Sequence, residues 1–295
     1  MNTFAILIGL GPFVGGGLYP TIASKIGGKP ENQILGSTIG TFIFALIVTL
    51  SLKIQLPVGM NFVFSVLSGI GWASAQIITF QSFTLIGSSR AMPISTALQL
   101  IVTSLWGVLA LGDWPSSFDK TVGSLALILI ICGAWLTVWT ENKSHEDKQT
   151  LKKAILLLVI GQVGYWAYSA APQAAHVSGL QAFLPQATGM VLVSVVYAIF
   201  LSLKHQRKSA IKEKISYKHI ISGFFFAFAA LTYLISAQPN MNGLATGFIL
   251  SQTSVVLATL SGIWLLGQNK AKREMFVTVL GLVLIVVAAS MTVLV

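Results

Sequence analysis

The chain has 295 residues, 55% of them hydrophobic and only 9% charged, with a mean hydropathy of +0.82 and a formal charge of +10. Soluble domains carry about 25% charged residues, so this composition excludes an ordinary water-exposed fold. The basic excess lies in short connectors between apolar runs, which points to the lipid bilayer and away from nucleic acid, and a single cysteine, Cys132, excludes a disulfide framework or a Cys/His metal centre.

Crossing a hydrocarbon core of about 30 Å takes about 20 apolar residues as helix. Such runs fall at 3–23, 33–52, 61–85, 92–111, 121–139, 153–170, 180–203, 218–236, 244–266 and 275–295. The first has no basic flank and is followed at once by further runs, so it reads as a span and not as a cleaved leader. Gly9-Leu10-Gly11 and Gly15-Gly16-Gly17 lie within it. They do not make a dinucleotide loop, because Val14 stands where the last glycine belongs and no strand precedes them; close helix packing suits them better. Gly27-Gly28-Lys29-Pro30 closes this span, Leu56-Pro57 precedes the third, and Gly112-Asp113-Trp114-Pro115 separates the fourth from the fifth. Pro12, Pro93 and Pro185 are places where a helix could break and free carbonyls near a site, or simply kink. Backbone polar groups find no water in lipid, so every run is expected to be helical. The expected fold is an all-α integral membrane protein with ten transmembrane helices.

The sequence also matches itself at an offset of about 154 residues. Ser68-Gly69 corresponds to Ser222-Gly223, Gln99 to Gln252, and Leu111-Gly112 to Leu266-Gly267. Five helices per repeat invert the second half relative to the first, an architecture of transporters. The expected organisation is a first repeat at 1–140, a cytoplasmic linker at 141–152 and a second repeat at 153–295. Of the 18 lysines and arginines, all but Lys53 and Lys120 fall in alternate connectors. Basic connectors stay cytoplasmic, which puts both termini outside and leaves the sequon Asn142-Lys143-Ser144 on the cytoplasmic side.

Polarity within the spans comes from amides, hydroxyls and aromatic rings. Trp72 and Gln76 are one helical turn apart, as are Ser95 and Gln99, so each pair shares a face. Gln162, Trp166 and Ser169 repeat the pattern in the sixth span. Gln186 follows Pro185 in the seventh, and Gln252 lies in the ninth. Such groups can serve as hydrogen-bonding glue between helices. Their recurrence in both halves points instead to a polar lumen, with Trp72, Gln76, Ser95, Gln99, Trp166, Gln186 and Gln252 as substrate-binding candidates. Amides donate to and accept from sugar hydroxyls, and indole faces cover the ring. The eight acids lie at helix ends or in connectors. Proton-coupled carriers often hold an ionisable group inside a span, so the residues themselves do not support coupling to protons; Glu31 and Asp113 are the nearest candidates. His145, His205 and His219 fall in connectors and His176 near a membrane edge, with no metal-ligand spacing. No catalytic residue, metal or cofactor is expected, and the chain does not read as an enzyme.

Segments 7–12, 20–25, 27–30, 32–34, 86–96 and 182–186, which include Gly9-Leu10-Gly11-Pro12, Ala91-Met92-Pro93-Ile94-Ser95-Thr96 and Leu184-Pro185-Gln186, resemble the bacterial glucose/ribose porter family of the drug/metabolite transporter superfamily. The resemblance covers essentially the whole chain. Gly164-Tyr165-Trp166 and Ser169-Ala170-Ala171-Pro172-Gln173 are most similar to its ribose-uptake branch, whereas the glucose branch typically has Gly-Glu-Trp where this chain has Gly112-Asp113-Trp114. The resemblance implies ten helices, inward transport of ribose or glucose and a proton symport. Relatives are often drawn with cytoplasmic termini, opposite to the charge distribution of this chain.

Overall fold

A computed structural model describes residues 3–86, 88–137, 139, 141, 148–206, 208–266 and 270–291, without the side chains of 83, 84, 88–90, 92 and 93. The sequon at 142–144, His145, Arg207, Gly267 and the side chains of Arg90 and Pro93 therefore lie outside the described residues. Every regular element described is helical: α1 (Thr3–Gly9), α2 (Gly11–Ile26), α3 (Pro30–Ser51), α4 (Met60–Ile86), α5 (Ser88–Ala110), α6 (Ser117–Thr137), α7 (Lys148–Ala174), α8 (Gly179–His205), α9 (Lys214–Lys218), α10 (Ile220–Ser236), α11 (Gly243–Ser251), α12 (Ser254–Leu265) and α13 (Lys272–Met291). A 3-10 turn, Ala210–Lys212, precedes α9.

Among the described residues, eight helical segments, of 20 to 27 residues, are long and apolar enough to cross a membrane; Ile94–Ala110 and Ile220–Ser236 are shorter apolar helices. The first of the eight joins α1 to α2, and another joins α11 to α12. The α1/α2 turn is at Leu10, just before Pro12, which lacks the N–H that would continue the ladder. No proline causes the α11/α12 turn at Gln252 and Thr253. There the Ser251 and Thr253 hydroxyls donate to the carbonyls of Phe248 (2.6 Å) and Leu250 (2.7 Å), competing for backbone acceptors. Pro185, expected as a possible break, sits inside unbroken α8. The expected linker at 141–152 is shorter than its bounds suggest, because α7 already begins at Lys148.

Helix starts follow local chemistry. At α6, Ser116 and Asp119 cap reciprocally, each backbone N–H donating to the other's side chain at 3.0 Å. Pro30 opens α3, and the Asn32 side chain accepts from the Lys29 N–H at 2.9 Å. Large apolar side chains such as Leu109 (80% exposed) and Phe276 (71%) cover the outer surface. Such a surface would aggregate in water and is at ease in hydrocarbon.

Glycines set the closest approaches between helices. A Cβ at Gly69 of α4 would strike the Gln186 carbonyl of α8, and one at Gly189 would strike the Val66 carbonyl. A Cβ at Gly223 of α10 would strike the Ser37 carbonyl of α3, and one at Gly40 the Ile220 carbonyl. Beside the first crossing Gln186 Nε2 donates to Ser68 Oγ at 2.5 Å; beside the second, Ser37 Oγ and Ser222 Oγ are 3.1 Å apart. Helix α4 packs on α7 and α8, α10 on α2 and α3, α5 on α7 and α11, α12 on α2, α3 on α8, and α6 on α13.

Two sets of connectors meet at opposite ends of the bundle. At the end carrying most of the bases, Asn32 Nδ2 donates to Glu213 Oε2 (2.7 Å) and Ser216 Oγ (2.9 Å), and Lys29 pairs with Glu213 at 3.6 Å. His219 stands in a connector as expected. It is not a solvated loop residue, being fully buried with Nε2 2.8 Å from the Gly27 carbonyl oxygen. At the other end Gln173 Nε2 donates to the Ala237 carbonyl at 2.8 Å.

Candidate functional site

The glycine contact between Gly71 and Gly164 draws α4 and α7 together and puts Gln76 beside Tyr165. The Tyr165 hydroxyl donates to Gln76 Oε1 at 2.9 Å and lies 3.0 Å from Thr79 Oγ1. One turn along α4, the buried Trp72 ring packs on Phe226 with centroids 4.4 Å apart and lies 6.5 Å from Tyr168. Tyr168 stacks on Tyr233 (5.9 Å), Tyr233 meets Phe248 edge-on (5.6 Å), and Tyr19 meets Phe226 (5.5 Å). The Tyr233 hydroxyl donates to Ser169 Oγ at 2.8 Å. An aromatic column thus runs through α2, α10, α4, α7 and α11, with rings from both ends of the sequence.

The remaining candidates separate into two groups. Gln76, Gln99, Trp166 and Gln252 are half-buried. Gln99 Nε2 donates to Ser95 Oγ at 3.0 Å, and Gln252 Nε2 to Ser251 Oγ at 3.2 Å, in the α11/α12 turn. The Trp166 ring meets Trp106 edge-on at 4.9 Å. Gln186 and Ser95 are fully buried, and Gln186 belongs to the α4–α8 crossing. Among the described residues no hydrogen bond joins Gln76, Gln99, Gln186 and Gln252 to one another. Trp106 Nε1, Gln162 Oε1 and Gln186 Oε1 are buried atoms without a hydrogen-bond partner among the described residues. Unused polar capacity of this kind costs free energy unless water or a ligand takes it up.

The two acidic candidates stand apart from these rings. Glu31 is buried in the first turn of α3, among the basic connectors. Asp113 lies between α5 and α6, where its Oδ2 accepts from the Ala245 N–H at 2.7 Å at the start of α11. Burial pushes the Asp113 carboxyl above its ordinary 3.8, against the pull of the N–H groups of Ala245 and Leu244. Next to it Trp114 Nε1 donates to Thr246 Oγ1 at 3.0 Å. Among the described residues no group of three His, Cys, Asp or Glu could hold a metal.

Sequence reasoning did not single out Tyr165, Tyr168, Tyr233 or Trp106. A signal was available: a phenol or indole inside a span needs a polar partner for the same reason as a glutamine. Tyr165 and Tyr168 also flank Gln162, Trp166 and Ser169 on α7.

A helical bundle with this lipid-facing surface, organised around buried amides and rings, is a multi-pass membrane protein of the kind that handles small polar solutes. The chain belongs to the sugar transport protein family, whose model matches residues 7–295. It is 68% identical over 293 residues to "Putative ribose uptake protein RbsU" of Lactiplantibacillus plantarum, covering 99% of each chain. A protein of the same name from Enterococcus faecalis is 62% identical, with 100% of each covered. A solved crystal structure with 14% sequence identity superposes with a TM-score of 0.77 over 100% of this chain and 98% of its own, a likeness of fold alone.

Proposed function

We propose that this protein carries ribose across the cell membrane by alternating access, as ten spans in two inverted repeats, 1–140 and 153–295, with the sugar between them. The carrying observation is the set of half-buried amides, Gln76, Gln99 and Gln252, of which Gln76 lies one turn from Trp72 in the aromatic column and accepts from the Tyr165 hydroxyl. An amide facing hydrocarbon costs several kcal/mol, about the loss of its hydrogen bonds. Their exposure therefore fits a hydrated space, and we assign the half-buried Trp166, packed edge-on against Trp106, to the same site. Gln186 and Ser95 act as positioning residues, one in the α4–α8 crossing and one holding Gln99.

Support for the inverted repeats comes from the pairings. Exchanging the first five spans with the last five turns α4–α8 into α10–α3, α4–α7 into α10–α2 and α5–α7 into α12–α2, all of which are contacts. Ser68-Gly69 and Ser222-Gly223, matched by sequence, occupy equivalent places in their crossings. The basic end would face the cytoplasm; with Cys132 replaced, cysteines at Lys208 and Ser117 should label from the inside and the outside of intact cells, respectively. Ribose is favoured because the relatives at 62% and 68% identity carry that sugar in their names.

Purified protein in liposomes should take up labelled ribose saturably, with unlabelled ribose competing and glucose competing weakly. Asp113 is engaged with the start of α11, and Glu31 lies outside the aromatic column, so uptake should not need a pH gradient. Glucose outcompeting ribose would reassign the substrate. Uphill accumulation abolished by an uncoupler would make this a proton symporter and return attention to Glu31 and Asp113.

A further inference from the structure

Below their glycine crossing, α4 and α8 diverge toward the basic end and leave a crevice on the outer surface of the bundle. Its volume is about 430 Å³ and its walls are Ile70 and Ile77 of α4 with Leu192, Val196, Tyr197 and Phe200 of α8. That size falls within the range of ligand pockets, about 300–1,000 Å³. Leu192, Val196 and Phe200 are each at least half exposed, so the crevice opens to the surroundings and not into the bundle. At its basic end the Lys204 ammonium stands 5.8 Å from the centre of the Phe200 ring.

We propose that this crevice is a binding site for an anionic phospholipid, one acyl chain lying between α4 and α8 and the phosphate meeting Lys204. Two features select that occupant. A crevice walled by hydrocarbon and open to the bilayer is filled by hydrocarbon, since water there would find almost no polar partner. A cation one helical turn beyond the last apolar wall residue, where the helix leaves the membrane, complements a phosphate and not a neutral headgroup. A second copy of the chain would have to bring its own Lys204 against this end, adding like charge.

Native mass spectrometry of delipidated protein titrated with phosphatidylglycerol or phosphatidylcholine of the same chains tests this. The protein should retain phosphatidylglycerol preferentially. Lys204→Ala should weaken that retention roughly fivefold, the contribution of about one basic residue at a membrane surface. Leu192→Trp, which fills the crevice, should weaken both lipids, with Val196→Phe as the second variant if the first does not fold. Lys272→Ala, on α13 at the same end but outside the crevice, should change nothing. No preference for phosphatidylglycerol, an equal loss in Lys272→Ala, or lipid retention unaffected by both filling variants would overturn the site. A dimer that Leu192→Trp converts to monomer would also overturn it, by making the face an interface between copies.

Discussion

The Asp113 carboxylate accepts the backbone N–H of Ala245 at 2.7 Å and so ties the α5–α6 connector to the first turn of α11. Negative charge at a helix start is favourable, while burial works against it and raises the carboxyl above 3.8. The folded state therefore keeps this proton longer than the unfolded chain. Its contribution to stability is full below about 3.8 and is lost as pH rises through the raised value. Asp113→Asn, which keeps an acceptor and removes the charge, should melt no lower than the parent protein at neutral pH. Asp113→Ala leaves the N–H of Ala245 without its partner and should cost about 1–3 kcal/mol. Melting curves of the two variants check this. An Asn variant that is folded yet transports nothing would show that the charge has a part in transport.

His219 provides a pH dependence of the opposite kind. Burial holds its pKa below the ordinary 6.5, opposed by the hydrogen bond to the Gly27 carbonyl. On acidification the unfolded chain takes up this proton first. The stabilisation is complete above about pH 6.5 and is lost as pH falls from there through the depressed folded value. The melting temperature of the parent protein should drop across that window. His219→Gln, which retains a donor for Gly27, should lack this component, and matched slopes in the two proteins would refute it.

The amides differ in what their loss should do. A neutral hydrogen bond contributes about 0.5–1.5 kcal/mol, so Gln76→Ala, Gln99→Ala and Gln252→Ala should each weaken ribose binding roughly 2- to 12-fold with little change in melting temperature. Trp72→Ala should cost more, through lost ring contact as well as packing. Tyr165→Phe frees Gln76 from its donor and should alter affinity while preserving the fold. Gln186→Ala should mainly lower the melting temperature, because its partner Ser68 is fully buried in a crossing. Calorimetric binding and melting on the same preparations separate the two behaviours; unchanged affinity in all three half-buried glutamine variants would remove them from the site.

The crossings predict paired effects. Gly69→Ala and Gly223→Ala would each press a methyl group into a carbonyl of the neighbouring helix, and overpacking of this kind costs about 1–3 kcal/mol. The two losses should be similar, as the equivalence of the crossings requires. Gly161→Ala is the contrast: its Cβ would meet Ile78 at an ordinary 3.6 Å, and relief of glycine's entropy should stabilise α7 by about 0.5–1 kcal/mol. Unequal effects at Gly69 and Gly223 would argue against symmetric roles.

Membrane residence, the approximate extent of each helix and the segregation of basic connectors were determined by the sequence alone, because hydrocarbon admits only long apolar runs with their backbone bonds closed within the helix. The Trp72/Gln76 and Ser95/Gln99 spacings were legible for the same local reason: helical periodicity fixes which side chains share a face. Periodicity says nothing about what lies opposite. Only the tertiary structure decided that Gln76 meets Tyr165, that the Gln186 amide N–H donates into a helix crossing, that Asp113 reaches α11 and that His219 is buried beneath Gly27. Each of these depends on where two helices distant in sequence approach closely enough to touch, and glycines such as Gly69, Gly71 and Gly223 set that approach by having no side chain in the way.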